Sequence, residues 1–160
     1  MSRTLPSRPP NTAVLLREAF VVVNDVVLAR LADAGHAAVR TPHGAVFQFL
    51  DKEGSTVSVL AARAGVTKQA MADLVAHLEQ HEYVTRIPDP SDRRAKLVLA
   101  TPAGREVMAL ARATVPEIER RIAELIGERR LRQLREDLAL IIEGSWTDAG
   151  ESPLHADGGR

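Results

Sequence analysis

Apolar residues recur along most of this chain at helical spacing, and the breaks in that pattern mark its elements. From Thr12 to Asp33, the positions Val14, Leu15, Phe20, Val22, Val23, Val26, Val27 and Leu31 spread round more than one helical face. The run predicts a long helix buried on two sides. Its valines lower helix propensity and make a strand over 21–23 the competing reading. Helix is preferred because the pattern continues through Leu28, Ala29 and Leu31. Gly35 breaks the chain. Thr41 and Pro42 then make a helix start, with Thr as cap and Pro at the first helical position. The helix predicted over 42–50 turns Val46, Phe47 and Leu50 inward. Gly54 and Ser55 mark a turn, and Ser58 is expected to cap a short helix over 59–64.

The pattern is sharpest next. Residues 63–67 read Arg-Ala-Gly-Val-Thr. Gly65 can take the left-handed conformation that ends one helix, and Thr67 can cap the following one. That second helix, from Lys68 to about His81, carries Met71, Leu74, Val75 and Leu78 at i, i+3, i+4 and i+7, a single apolar stripe. Two strand-like runs follow, 83–87 and 96–99. The segment between them, Pro88-Asp89-Pro90-Ser91-Asp92-Arg93-Arg94-Ala95, is turn-forming and holds two arginines near its tip. Helix, tight turn, helix and charged hairpin in this order predict a winged helix-turn-helix.

Thr101-Pro102 starts a further long helix, with Val107, Leu110, Ala111, Val115 and Ile118 on its stripe. Pro116 interrupts that helix; if it continues to Ile126, a kink is expected there. Gly127 stops it. A last helix over 128–143 carries Leu131, Leu134, Leu138 and Ile141. The fold class expected is mainly α with a small β-hairpin wing. The division expected is a disordered arm over 1–10, one domain over 11–144 and a loose tail over 145–160. Within the domain, the winged helix-turn-helix spans about 42–100, and long helices at about 12–33 and 102–143 flank it. The stripe of the last helix needs a partner, either the first helix or a second subunit.

Composition narrows the chemistry. Lysine plus arginine and aspartate plus glutamate each number 21, so affinity for a polyanion must come from where charge is placed. Aromatics make up 3%, too few for a stacking platform that grips RNA or single strands. With no cysteine, disulfides, thiolate zinc sites and thiol catalysis are excluded. No stretch approaches the length of a membrane span and no signal peptide is evident, so the cytoplasm is the expected compartment. No nucleophile–base pair, metal cluster or acidic dyad stands at a recognisable spacing, so neither an enzyme nor a cofactor is expected.

The candidate site residues follow from the predicted elements. A helix-turn-helix sets the start of its second helix against base edges in the major groove. There Lys68 can reach guanine acceptors and Gln69 can pair with adenine, with Ala70 beside them. Thr67 caps the helix and touches phosphate. His77 and His81 have the i, i+4 spacing of metal ligands, but no third ligand accompanies them, so no metal is expected. His77 reads instead as a phosphate neighbour, and His81 as a partner of the helix C-terminus. Arg93 and Arg94 alone would be solvated loop charges; in a wing they read as DNA contacts. The alternating Glu and Arg of 117–136 read as a solvated, salt-bridged face.

The hairpin segment 89–96, the following Thr101-Pro102-Ala103-Gly104, and the helix-turn-helix run from Leu60 to Met71 resemble the MarR family of winged helix-turn-helix transcriptional regulators. The resemblance covers about residues 12–143. It implies a homodimer whose terminal helices interlock, bound to double-stranded DNA at palindromic half-sites. It also implies a repressor relieved by a small apolar or aromatic effector held between the DNA-binding lobe and the dimerisation helices, near His36 and His43. Arg94 is assigned to the minor groove, with Asp92 orienting its guanidinium. A winged-helix module for protein contacts and a constitutive regulator without effector are the competing readings. Two departures stand out. Glu82 replaces a glycine expected just before the first wing strand, where a left-handed residue with a Cβ is strained by about 1 kcal/mol, and Ala100-Thr101 replaces Leu-Thr.

Overall fold

The computed structural model describes residues 11–92 and 94–144. The predicted arm over 1–10, the tail over 145–160 and Arg93 lie outside the described residues. Packing divides the chain into a first unit ending at Ile118 and a second beginning at Glu119.

In the first unit, α1 (Thr12–Asp33) has the predicted bounds and is capped by the Asn11 side chain, which accepts from the Val14 N–H at 3.0 Å. The expected burial on two sides is not met among the described residues. Leu31 is buried and Val27 and Leu28 pack on the core, but Phe20 and Val22 are more than half exposed. A single 3₁₀ turn, Thr41–His43, leads into α2 (Gly44–Phe49). Thr41 does not cap it. Its hydroxyl accepts instead from the Asn24 amide at 3.0 Å, tying the turn to α1.

The expected turn at Gly54-Ser55 contains a short strand, β1 (Ser55–Thr56). The cap of α3 (Val57–Ala64) is Thr56, not Ser58: the Thr56 hydroxyl accepts from the Val59 N–H. The helix therefore starts two residues earlier than predicted, and Ser58 lies inside its first turn. Then come α4 (Lys68–Gln80), β2 (Val84–Pro88) and β3 (Lys96–Ala100). The strands form an antiparallel sheet in the order β1-β3-β2, with Arg86 opposite Val98 and Ser55 also opposite Val98. A two-residue strand carries too little pattern to be read from sequence, and β1 was missed for that reason.

The core sits where α2, α3, α4 and β3 meet. Val46, Leu60, Met71, Val75, Leu78 and Val98 are fully buried there. Of the α4 stripe, Met71, Val75 and Leu78 are buried and Leu74 packs at the edge.

The long helix α5 (Pro102–Ile126) continues through Pro116 and passes from the first unit into the second. Proline has no N–H to offer the carbonyl one turn back, that of Arg112. The start of α5 is fixed tightly. The Thr101 hydroxyl accepts from the Gly104 N–H at 3.1 Å and lies 2.6 Å and 3.0 Å from the carbonyl oxygens of Glu82 and Tyr83. A Cβ on Gly104 would lie 2.0 Å from the Tyr83 carbonyl oxygen, so only glycine allows this approach.

In the second unit, Gly127 at φ 87° separates α5 from α6 (Glu128–Glu143). Arg135 reaches back to Glu119 at 3.2 Å, and Leu131 is buried, while Leu134 and Leu140 are exposed. No helix among the described residues is long and apolar enough to cross a membrane.

Candidate nucleic-acid interface

The turn between α3 and α4 is built as the sequence dictates. Gly65 adopts φ 64°, ψ 31°, and its N–H returns to α3. The Thr67 hydroxyl accepts from the Ala70 N–H at 3.1 Å. Residues 65–70 are all exposed, so the side chains of Lys68 and Gln69 are open to solvent at the start of α4. At the end of α3 the Arg63 guanidinium donates to the Phe49 carbonyl at 2.9 Å and to the Asp51 carboxylate at 2.8 Å, tying α3 to the segment before it. Asp51 also accepts from the Ser55 hydroxyl; these two donors, Ser55 first, hold its carboxyl below the usual range.

Gln69 is already engaged: its amide nitrogen donates to Asp73 Oδ1, one helical turn on, at 2.8 Å. Asp73 was missed in the sequence, although its i+4 spacing from Gln69 was there to be seen.

At its far end α4 does not end differently for having glutamate where the family has glycine. Glu82 holds φ 60°, and the Tyr83 N–H reaches the Leu78 carbonyl at 2.9 Å. The helix end is thus retained with glutamate in a glycine's place. The position is over-determined by the Thr101 hydroxyl on the Glu82 carbonyl.

The wing is a set of nested turns. Asp89 accepts from both the N–H and the hydroxyl of Ser91, at 2.8 Å and 2.7 Å, which lowers its carboxyl pKa. Asp92 accepts from the backbone N–H of Arg94 at 2.9 Å, and its own carbonyl accepts from Ala95. This corrects the expected geometry. Among the described residues Asp92 bonds the backbone at Arg94, and no bond to the Arg94 guanidinium is present. Arg94 is exposed at the tip.

His81 sits at the C-terminus of α4 as expected, forming its C-cap, but His77 is placed differently from expectation. His77 points into the protein, not toward a phosphate: its Nε2 lies 3.1 Å from the Ala38 carbonyl, and its ring stacks on His43 at 4.5 Å and 18°. The exposed His81 also lies 4.5 Å from His77, with its ring tilted by 48°. His43 is buried, and its Nδ1 accepts from the Arg40 N–H at 3.0 Å, which requires the neutral ring. Burial, then the neighbouring His77, Arg40 and His81, push its pKa down to about 4. Among the described residues no group of three ligand-type side chains could hold a metal ion.

A cavity of about 440 Å³ lies within the first unit, between α1, α2 and the first part of α5. Its walls are apolar, chiefly Val27, Leu28, Phe47 and Val107, with Arg40, Asn24 and Arg112 on its border. His36 and His43 are not among its lining residues. His36 is buried elsewhere, edge-on to Tyr83 and 3.7 Å from Glu106. Arg40 and Arg112 are far apart in sequence, so no spacing could have announced them together.

Helix, glycine turn, capped second helix and a two-stranded wing define a winged helix-turn-helix, the architecture of a DNA-binding protein. Comparison with known proteins specifies the class. The MarR family model matches residues 39–95. A MarR-family transcriptional regulator from Rhodococcus sp. RHA1 is 30% identical over 79% of this chain and 89% of its own, with a TM-score of 0.61. CouR from Rhodococcus jostii RHA1, solved with p-coumaroyl-CoA, is 30% identical over 85% of this chain and 94% of its own, at TM-score 0.63. CouR bound to a 23-mer DNA duplex aligns at TM-score 0.66 over 82% of this chain and 92% of its own, with 26% identity. The transcriptional activatory protein BadR of Rhodopseudomonas palustris is 32% identical over 75 residues, 47% of this chain and 42% of that protein. The chain thus spans less than half the length of that curated relative. The chain belongs to the MarR family of DNA-binding transcriptional regulators, a family of regulators and not of enzymes.

Proposed function

We propose that residues 11–144 form one subunit of a homodimer that binds double-stranded DNA at paired half-sites and represses transcription in the cytoplasm until an effector binds. The observation that carries the DNA reading is the continuous exposed stretch from Gly65 to Ala70 at the opening of α4, flanked by the wing. Thr67 and Lys68 are suited to phosphate, Gln69 and Ala70 to base edges, and Arg94 to the narrow minor groove, whose negative potential attracts arginine. Arg93 belongs to the same tip by sequence. With a net charge of zero, affinity rests on these placed cations.

Two observations support the dimer. Leu15, Leu16, Phe20 and Val22 of α1 are exposed, and so are Leu140 and Ile142 of α6. Apolar surface on this scale favours a partner, and a second copy supplies the same surfaces by symmetry.

The cavity supports the effector. Apolar walls with Arg40 and Arg112 at the border suit a flat, partly apolar molecule bearing an anionic group, and CouR carries an aromatic acyl-CoA. Such a ligand shifts DNA affinity only by binding the DNA-competent and incompetent forms unequally. Activation is the second reading, favoured by the description of BadR as an activatory protein.

Selection of bound fragments from a random duplex library with purified protein tests the core of this reading. Enrichment of a two-fold symmetric site is expected. Recovery of unenriched sequence would overturn it.

A further inference from the structure

The opening of α4 carries a feature that the reading above does not use. Gln69 Nε2 lies 2.8 Å from Asp73 Oδ1, on the exposed side of the helix. A carboxylate can only accept a hydrogen bond, so the amide nitrogen must face it and the amide oxygen must face away. The pair therefore presents outward the Gln69 Oε1 and the second Asp73 oxygen, both acceptors. The exposed neighbours Ala70 and Ala76 add no polar side-chain group. Glu79, the next carboxylate along the helix, is paired with Arg86 at 3.3 Å. Asp73 has no such cation among its described partners.

We infer that Asp73 is a specificity-determining residue, which with Gln69 reads an exocyclic amino group, cytosine N4 or adenine N6, and rejects guanine at the same position. The inference rests on the reading that α4 enters the major groove. The chemistry follows from the groove code. Cytosine and adenine offer amino donors there, while guanine offers two acceptors, O6 and N7. An acceptor pair meets the first two productively and is repelled by the third. The carboxylate also opposes phosphates in general, so it lowers affinity for every sequence lacking the donor. Asp73 thus trades total affinity for discrimination.

Asp73→Asn keeps the shape, removes the charge and supplies a donor. Duplex selection and binding titrations with wild type, Asp73→Asn and Gln69→Ala test the idea, with circular dichroism to confirm equal helix content. In the wild type, one position of each half-site is expected to favour cytosine or adenine over guanine by about tenfold or more. In Asp73→Asn that preference disappears, guanine becomes acceptable, and binding to random duplex rises severalfold. Gln69→Ala is expected to relax the same position. A general weakening of the helix would lower binding to all sequences and could not produce this rise. If the wild type enriches a site that Asp73→Asn reads with unchanged preferences at every position, the inference is wrong and the DNA reading stands. If the wild type enriches no site, the DNA reading fails and this inference falls with it.

Discussion

Most apolar side chains between Val46 and Val107 find partners in their own chain, whereas many along α1 are exposed among the described residues. Val46, Met71 and Val98 are fully buried, while Phe20 is 56% and Val22 53% exposed. Both regions carry ample apolar residues, so hydrophobicity does not separate them. In the winged lobe the stripe of each helix faces a neighbouring helix or strand. In α1 the apolar positions spread round more faces than the described residues cover. The lobe therefore holds most of its core internally, and on the dimer proposed above α1 would gain stability from association.

The largest expected effect lies on the α1 side. Phe20→Glu places a charge in the face that a second subunit would cover. Light scattering should show a monomer with an intact far-ultraviolet spectrum, and binding to a symmetric site should fall by about a hundredfold or more, because each half-site alone loses the gain from linkage. A Phe20→Glu protein that remains dimeric would move the interface elsewhere.

The next breaks the lobe from inside. Gly104→Ala drives a methyl into the Tyr83 carbonyl oxygen and forces apart the hairpin and the start of α5. Overpacking of this kind costs about 3 kcal/mol. Thermal unfolding should show the drop, whereas Gly35→Ala, with open space round its Cβ, should lose only the cost of its positive φ.

Acid probes the lobe's edge. Unfolded His43 takes up a proton near pH 6.5, but the folded residue does so only near pH 4. The unfolded state therefore binds more protons in this window. Stability is full above pH 6.5 and declines as pH falls toward 4, by up to about 3 kcal/mol. His43→Gln should flatten that slope in denaturant titrations run across the window; an unchanged slope would remove His43 as its source.

The smallest effect has the opposite sign. Glu82→Gly relieves a left-handed residue at φ 60° and should stabilise the lobe by about 1 kcal/mol in denaturant melts.

Much of the fold was legible from residues whose role is local. Gly65 and Thr67 act within one turn of chain, so their pattern carried the helix-turn-helix without tertiary knowledge. The bounds of α1 and α6 were readable for the same reason. Two of the errors came where a distant partner decided. Thr41 looked like a cap, but Asn24, 17 residues away, engages its hydroxyl. His77 looked like a surface residue of the recognition helix, but Ala38 and His43 hold it inward. Asp92 was identified as a wing organiser through a guanidinium, yet its described bond is to a backbone N–H. The candidate cavity had no sequence signal, because its cations come from segments 72 residues apart, Arg40 and Arg112.

Hydroxyl-radical footprinting on the duplex selected by the full-length protein tests the central claim most directly. A dimer presenting two α4 helices and two wings should protect two equal stretches, with centres about 10 base pairs apart or a multiple of that. The protected stretches should fall on one face of the DNA and appear together as protein is titrated. One protected stretch, or two that fill independently with no fixed spacing, would contradict the account.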